Sequence, residues 1–120
     1  MEIVEVLKAL ADETRIRILN VLRNETLCVC DLEAILELSQ SNVSRHLTKL
    51  KSCKLITSEK QAQWVYYRID EKIFLTHSFV KELIVQELAA SLKYQSDLLR
   101  LTKYRAGGGS CESTVRINDE

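Results

Sequence analysis

Proline is absent, and the only three glycines stand together as Gly107-Gly108-Gly109. Aromatic residues are scarce, at 6%, so a β architecture built on long loops is not expected. No apolar run approaches the roughly 20 residues that a membrane-spanning helix needs. Glu2 and Glu5 interrupt the apolar N-terminus, which removes the pattern of a secretory signal. The four cysteines (Cys28, Cys30, Cys53 and Cys111) lack the spacing of a disulfide-stapled secreted domain. Together these absences point to a cytoplasmic, reducing location with no membrane partner. No C-x-x-C sits in a βαβ setting and no Gly-rich loop forms a cleft, so an enzyme is not expected either.

What is there is helical periodicity and a segregated charge. The chain of 120 residues suits one domain with a tail. Lys plus Arg and Asp plus Glu balance at 17 each, yet residues 38–58 contain no acid and carry Arg45, Lys49, Lys51 and Lys54. A polyanion is the natural partner of such a surface.

Ile3, Val6, Leu7 and Leu10 mark a first amphipathic helix. Asp12 then caps a second, whose core edge is Ile16, Leu19 and Leu22. A third begins near Cys28, where Cys28-x-x-Asp31 has the spacing of a capping box with a thiol in place of a hydroxyl. Leu32, Ile35 and Leu36 supply its buried edge. Glu37-Leu38-Ser39 leaves room only for a sharp turn into a fourth helix capped by Ser39. There Val43, Leu47 and Leu50 form the apolar edge, and Ser41, Arg45, Thr48 and Ser52 lie opposite. This is helix-turn-helix spacing without the usual turn glycine.

Residues 55–60 and 64–69 alternate as two strands around a tip at Gln61-Ala62-Gln63. A hairpin after such a helix is a wing. Asp70 caps a helical region over residues 73–104, with a break expected around Thr76-His77-Ser78. Its apolar stripe (Phe79, Leu83, Leu88, Leu92, Leu98, Leu99) is broad enough to predict a dimer interface; packing on its own domain is the alternative. The fold expected is mainly α with a small β-hairpin wing: a dimeric winged helix-turn-helix over residues 1–105, then a flexible tail over 106–120.

Candidate DNA contacts follow from that geometry. They are Gln40, Ser41, Ser44, Arg45, His46, Thr48, Lys49 and Lys51 on the fourth helix, and Lys60, Gln61 and Gln63 at the wing tip. Arg suits guanine edges; Ser, Thr and Lys suit bases or phosphates. The fourth helix alone is equally compatible with an ordinary solvated face; the helix before it and the hairpin after it favour docking. His46 reads as a hydrogen-bonding or packing residue rather than a metal ligand, and His77 has no evident role.

The run LCVCDL, the run SQSNVSRHLTKLK and the strand WVYYRI together resemble the ArsR/SmtB family of metal-sensing winged-helix repressors, most closely its arsenite-responsive branch. The resemblance covers roughly residues 3–104. It implies a homodimer on double-stranded operator DNA that leaves when As(III) or Sb(III) binds Cys28 and Cys30, with no organic cofactor. Two departures stand out. Glu33 occupies the place where many relatives carry a third cysteine, and where other branches bind zinc through histidines and carboxylates of the terminal helix, this region has His77, near its start, as its one histidine.

As(III) favours three thiolate sulfurs in a pyramid. A helix N-terminus favours thiolate, so Cys28 and Cys30 are expected to be ready ligands. Residues two apart do not face each other on a regular helix, so sharing an ion requires the first turn to distort. The third sulfur is left open between Cys111, Cys53 and a small cytosolic thiol. Rival functions are a thiol-redox-sensing repressor of the same fold and, further off, a small thiol enzyme or metal-transfer protein.

Overall fold

The computed structural model describes residues 2–109. Its first elements are α1 (Ile3–Leu10) and α2 (Glu13–Leu22). Asp12 caps α2 as expected, its carboxylate accepting the Arg15 amide at 3.0 Å. α1 buries Val6, Ala9 and Leu10 but leaves Ile3, Val4 and Leu7 exposed. Its apolar surface is therefore wider than the face it rests on.

Next come β1 (Leu27–Cys28), α3 (Val29–Leu36) and α4 (Gln40–Ser52). The turn between the two helices puts Glu37 in the left-handed region, φ 57 and ψ 47, where glycine is usual. Ser39 caps α4 by accepting the Asn42 amide. Leu32, Ile35 and Leu36 of α3 meet Val43, Leu47 and Leu50 of α4 in one core with Ile18, Leu19 and Leu22 of α2.

β2 (Ile56–Gln61) and β3 (Trp64–Ile69) form the expected hairpin, closed between Gln61 and Trp64 with Ala62 at φ 57. The sheet differs from expectation in having a third strand. β1 pairs antiparallel with β3, Leu27 opposite Tyr67 and Cys28 opposite Tyr66. Two residues are too few for an alternation pattern to reveal them.

The terminal region is not one helix. α5 (Ile73–Thr76) ends at His77, as anticipated, and α6 (Ser78–Glu82) continues through a wide turn at Leu83–Glu87 into α7 (Leu88–Ala90). Ser91 is extended (φ −82, ψ 121), and a short turn leads to α8 (Gln95–Ala106), which packs back on α2 and α3. The stripe is split accordingly: Leu88 is buried, whereas Leu92 and Leu99 are 88% and 62% exposed.

Buried polar contacts hold the fold-back. Asp97 is 2% exposed and accepts both Arg17 Nε (2.8 Å) and Arg17 Nη2 (3.0 Å), with Arg100 reaching the same carboxylate. The carboxylate pushes the Arg17 guanidinium pKa above its ordinary value. The two arginines also serve α3, whose last turn has no basic residue of its own. Arg17 donates to the Leu36 carbonyl at 2.8 Å and Arg100 to the Ile35 carbonyl at 2.7 Å. These are carbonyls without a helical partner, at the end where the dipole favours cations.

Removing Asp97 leaves the Arg17 guanidinium without its paired carboxylate and Arg100 with only the exposed Glu37, 3.8 Å away. Asp97→Ala is expected to cost about 3 kcal/mol of stability, read as a shift of the urea midpoint. A loss below about 1 kcal/mol, the scale of an exposed pair, would show that the clamp is solvent-screened.

Candidate functional site

Two clusters carry the chemistry. The first is built on the start of α3, where Cys28 is at once the last residue of β1 and the N-cap of the helix. The capping box forms as expected. The Cys28 amide donates to Asp31 Oδ2 at 3.0 Å, and the Cys28 sulfur lies 3.3 Å from the same oxygen. Cys28 is 2% exposed and disulfide-bonded; Cys30 is half-buried and free, and Cys53 is buried and free.

The thiolate expectation fails for Cys30. Burial pushes its pKa up, and the carboxylates of Glu33 and Asp31 push it further in the same direction. Local acids and desolvation outweigh the helix terminus. Cys53 ends α4, its amide bonded to the Lys49 carbonyl and its side chain in the core. Among the described residues no three His, Cys, Asp or Glu side chains gather to hold a metal ion. Cys111 lies outside the described residues.

A residue that local spacing did not reveal completes this cluster. Tyr104 of α8 donates its hydroxyl to Asp31 Oδ1 at 2.5 Å, across 73 positions of sequence. Burial and that hydrogen bond push the phenol pKa well above its ordinary value, so it stays a neutral donor. Beside it, Arg105 reaches the Thr26 carbonyl at 3.4 Å and Glu25 at 3.7 Å.

The second cluster is the outer face of α4. Gln40, Ser41, Arg45, Thr48, Lys49 and Lys51 are exposed and Ser44 is half-buried. Lys60, Gln61 and Gln63 are exposed at the wing. Asn42 was not singled out from sequence, yet its side-chain oxygen accepts Arg45 Nη2 at 2.8 Å and so orients the guanidinium. Gln40 is braced in the same way by Ser44 at 2.8 Å.

His46 departs from the docking face on which the sequence placed it. It is 9% exposed, three positions after Val43 and on the same inner side. Its Nδ1 lies 3.3 Å from Arg15 Nη1 and 3.8 Å from Asp12 Oδ1. It joins α4 to the start of α2, consistent with packing rather than base contact. His77 is half-buried with its ring edge-on to Phe79.

The family described as "Bacterial regulatory protein, arsR family" matches residues 12–58. The arsenic resistance transcriptional regulator ArsR2 of Pseudomonas putida is 37% identical over 94 residues, 78% of this chain and 79% of its own length. The chain belongs to the ArsR family. The family match runs from the cap of α2 into β2, so it contains both α3 and α4. The arsenical resistance operon repressor of Escherichia coli K12 is 44% identical over 71 residues, 58% of this chain and 61% of that protein. ArsR1 of P. putida is 45% identical over 69 residues, 57% and 54%. The chain thus spans little more than half the length of some of these relatives. Among solved structures, HlyU from Vibrio cholerae superposes with a TM-score of 0.58 at 37% identity, covering 69% of this chain and 91% of that one. The homodimeric winged helix-turn-helix DNA-binding domain Mb0332 of Mycobacterium bovis gives 0.59 at 25% identity, covering 75% and 84%. These ArsR relatives are named as transcriptional regulators, and the family is not one of enzymes.

His46 makes stability pH-dependent in a defined direction. Burial, helped by Arg15 and Arg45 and opposed by Asp12, pulls its pKa below 6.5. The unfolded chain therefore takes up a proton before the folded one, and stability falls as pH drops below 6.5 toward the folded value. Asp12, held below 3.8, contributes only in a lower window. His46→Gln is expected to flatten the decline in urea midpoint between pH 7 and 5. Equal declines in parent and variant would assign the slope elsewhere.

Proposed function

We propose that this chain is a homodimeric repressor that docks α4 and the wing on operator DNA and is released when arsenite or antimonite binds Cys28 and Cys30. One observation carries the reading: the two cysteines form the first turn of α3, and only Glu37, Leu38 and Ser39 separate that helix from α4. Drawing two sulfurs spaced i, i+2 onto one atom unwinds the turn that the Cys28–Asp31 capping box holds. The shift passes through a short rigid connection to the helix that carries Arg45, Lys49 and Lys51. The names of the arsenical-resistance relatives support the inducer class.

The exposed Ile3 and Leu7 of α1, with Leu92 and Leu99, support a second copy as the cover for this apolar surface. A symmetric pair would present two α4 helices to DNA about one helical turn apart.

The docking face is checked by substitution. Arg45→Ala is expected to cost on the order of 1–3 kcal/mol in operator binding and to relax specificity. Lys49→Ala is expected to weaken binding to all sequences and to flatten the salt slope. Parent-like binding by both variants across several salt concentrations would remove α4 as the reader.

The switch is checked at the sulfurs. Cys28→Ser keeps a capping side chain and Cys30→Ser keeps the size, so both proteins are expected to fold and bind DNA while losing release by arsenite. Normal arsenite release by the double variant, followed by fluorescence anisotropy of labelled operator, sinks the mechanism. A second reading, release by thiol oxidation, is favoured by the disulfide at Cys28. It predicts that peroxide dissociates the parent from DNA in the absence of metalloid.

A further inference from the structure

α8 runs antiparallel to α3 and touches it from end to end. Arg100 sits at the Ile35 carbonyl, Tyr104 at Asp31, and Arg105 at Thr26, just before β1. The same helix carries Leu99 outward, on the apolar surface that a second copy would cover. One helix therefore meets the cysteine turn on its inner side and the proposed partner on its outer side. Tyr104 is its point of attachment to that turn. The ring is half-buried against the core, and the chain reverses directly over it. The amides of Gly107, Gly108 and Gly109 donate to the carbonyls of Lys103, Arg105 and Tyr104 at 3.0, 3.0 and 2.8 Å. A Cβ on Gly109 would meet the Tyr104 ring at 2.6 Å and its carbonyl at 2.8 Å, so the turn closes on the ring with no room for a side chain. The ring is thereby held with its hydroxyl on Asp31 Oδ1, at 2.5 Å.

We propose that Tyr104 is the positioning residue through which the cysteine site acts on α8: ligation at Cys28 and Cys30 takes Asp31 out of its capping box, the Tyr104 hydroxyl loses its acceptor, and the end of α8 comes off α3. This rests on the proposed function above and adds a second output to it, toward the partner copy rather than toward α4. The reasoning is one of lone pairs. Asp31 is 2% exposed and has three contacts: the Cys28 amide at 3.0 Å, the Cys28 sulfur at 3.3 Å and the Tyr104 hydroxyl at 2.5 Å. Amide and sulfur belong to the residue that must move, so drawing two sulfurs onto one atom carries both contacts away together. A buried carboxylate left with one donor is costly, and turning toward water relieves it. Tyr104 cannot follow, because the Gly109 turn holds its ring. What then remains at this end of α8 is Arg105, with contacts of 3.4 Å to Thr26 and 3.7 Å to Glu25. The Asp97 clamp at the other end is untouched, so the helix opens from its C-terminal end. In the triggering step each As–S bond that forms replaces an As–O bond. The thiol proton leaves with the hydroxide as water, and no electron is transferred.

The test uses the full chain reduced with a phosphine and arsenite as the probe. Near-ultraviolet sulfur-to-arsenic absorption follows binding, amide hydrogen exchange over residues 98–106 follows α8, and the urea midpoint follows stability. In the parent, arsenite is expected to speed exchange over residues 98–106 roughly tenfold or more. Tyr104→Phe keeps the ring and removes the hydroxyl; its α8 is expected to exchange fast already, with little further change on adding arsenite. Loss of docking in advance then favours the ligand that opposes docking. The variant is therefore expected to bind arsenite roughly tenfold more tightly, the scale of one hydrogen bond to a charged group. A hydroxyl with a merely structural role would lower the urea midpoint and leave arsenite affinity where it was. Gly109→Ala keeps the hydroxyl but crowds the ring, and is expected to shift affinity the same way by a smaller factor; it carries the comparison if Tyr104→Phe does not fold. Unchanged exchange over residues 98–106 in the arsenite-loaded parent, or parent-like arsenite affinity in the variants, overturns the inference and leaves release through α3 and α4 intact. Faster α8 exchange in a loaded parent that stays on operator DNA would instead overturn the proposed function and leave Tyr104 in this role. A reduced parent that takes up no arsenite overturns both.

Discussion

The buried carboxylate of Asp31 is shared between three structural demands. Its Oδ2 accepts the Cys28 amide and lies against the Cys28 sulfur, while its Oδ1 accepts Tyr104. A carboxylate at 2% exposure is tolerable only with its lone pairs met. Capping of α3, the position of the first cysteine and docking of α8 are therefore coupled through one side chain. At the opposite end of α3 the guanidinium groups of Arg17 and Arg100, gathered by Asp97, satisfy the exposed carbonyls. The helix that bears the cysteines is thus held at both ends by α8, with its own capping box assisting at one end and Arg17 of α2 at the other.

The neighbouring α4 has a different logic. Its inner side is fixed by Val43, Leu47 and Leu50 and by His46 in contact with Arg15, so the direction of its outer side is fixed as well. Arg45 is held by Asn42 and Gln40 by Ser44 before any partner arrives. Side chains ordered in advance lose less entropy on association. The cost of burying an imidazole beside an arginine is the depressed basicity of His46.

Local pattern made much of this visible. Asp12, Ser39 and the Cys28–Asp31 pair are caps whose partners lie within three residues, so spacing alone identifies them. The alternation in residues 64–69 reports a strand for the same reason. What escaped was either too short or too distant. β1 has two residues; Ser91 breaks the terminal helix without glycine or proline; and Asp97 finds Arg17 across 80 positions. His46 was misplaced although its signal was present, because three steps from Val43 and four from Leu50 put it on the apolar edge. The basicity of Cys30 was misjudged because the helix terminus was weighed without Glu33, three residues on, or the burial that the tertiary fold imposes.

The two-residue strand β1 has a mechanical consequence. Cys28 stands in register opposite Tyr66 of the wing on one side and opens α3, and through it α4, on the other. A displacement at this residue is shared by both DNA-facing elements at their roots. On the proposed function, hairpin and reading helix would let go in concert, as two arms of one lever, and dissociation would proceed without a lingering half-attached state. The strand's brevity suits that duty. A longer ladder would splint Cys28 against motion, whereas two residues join the arms and still permit the joint to move.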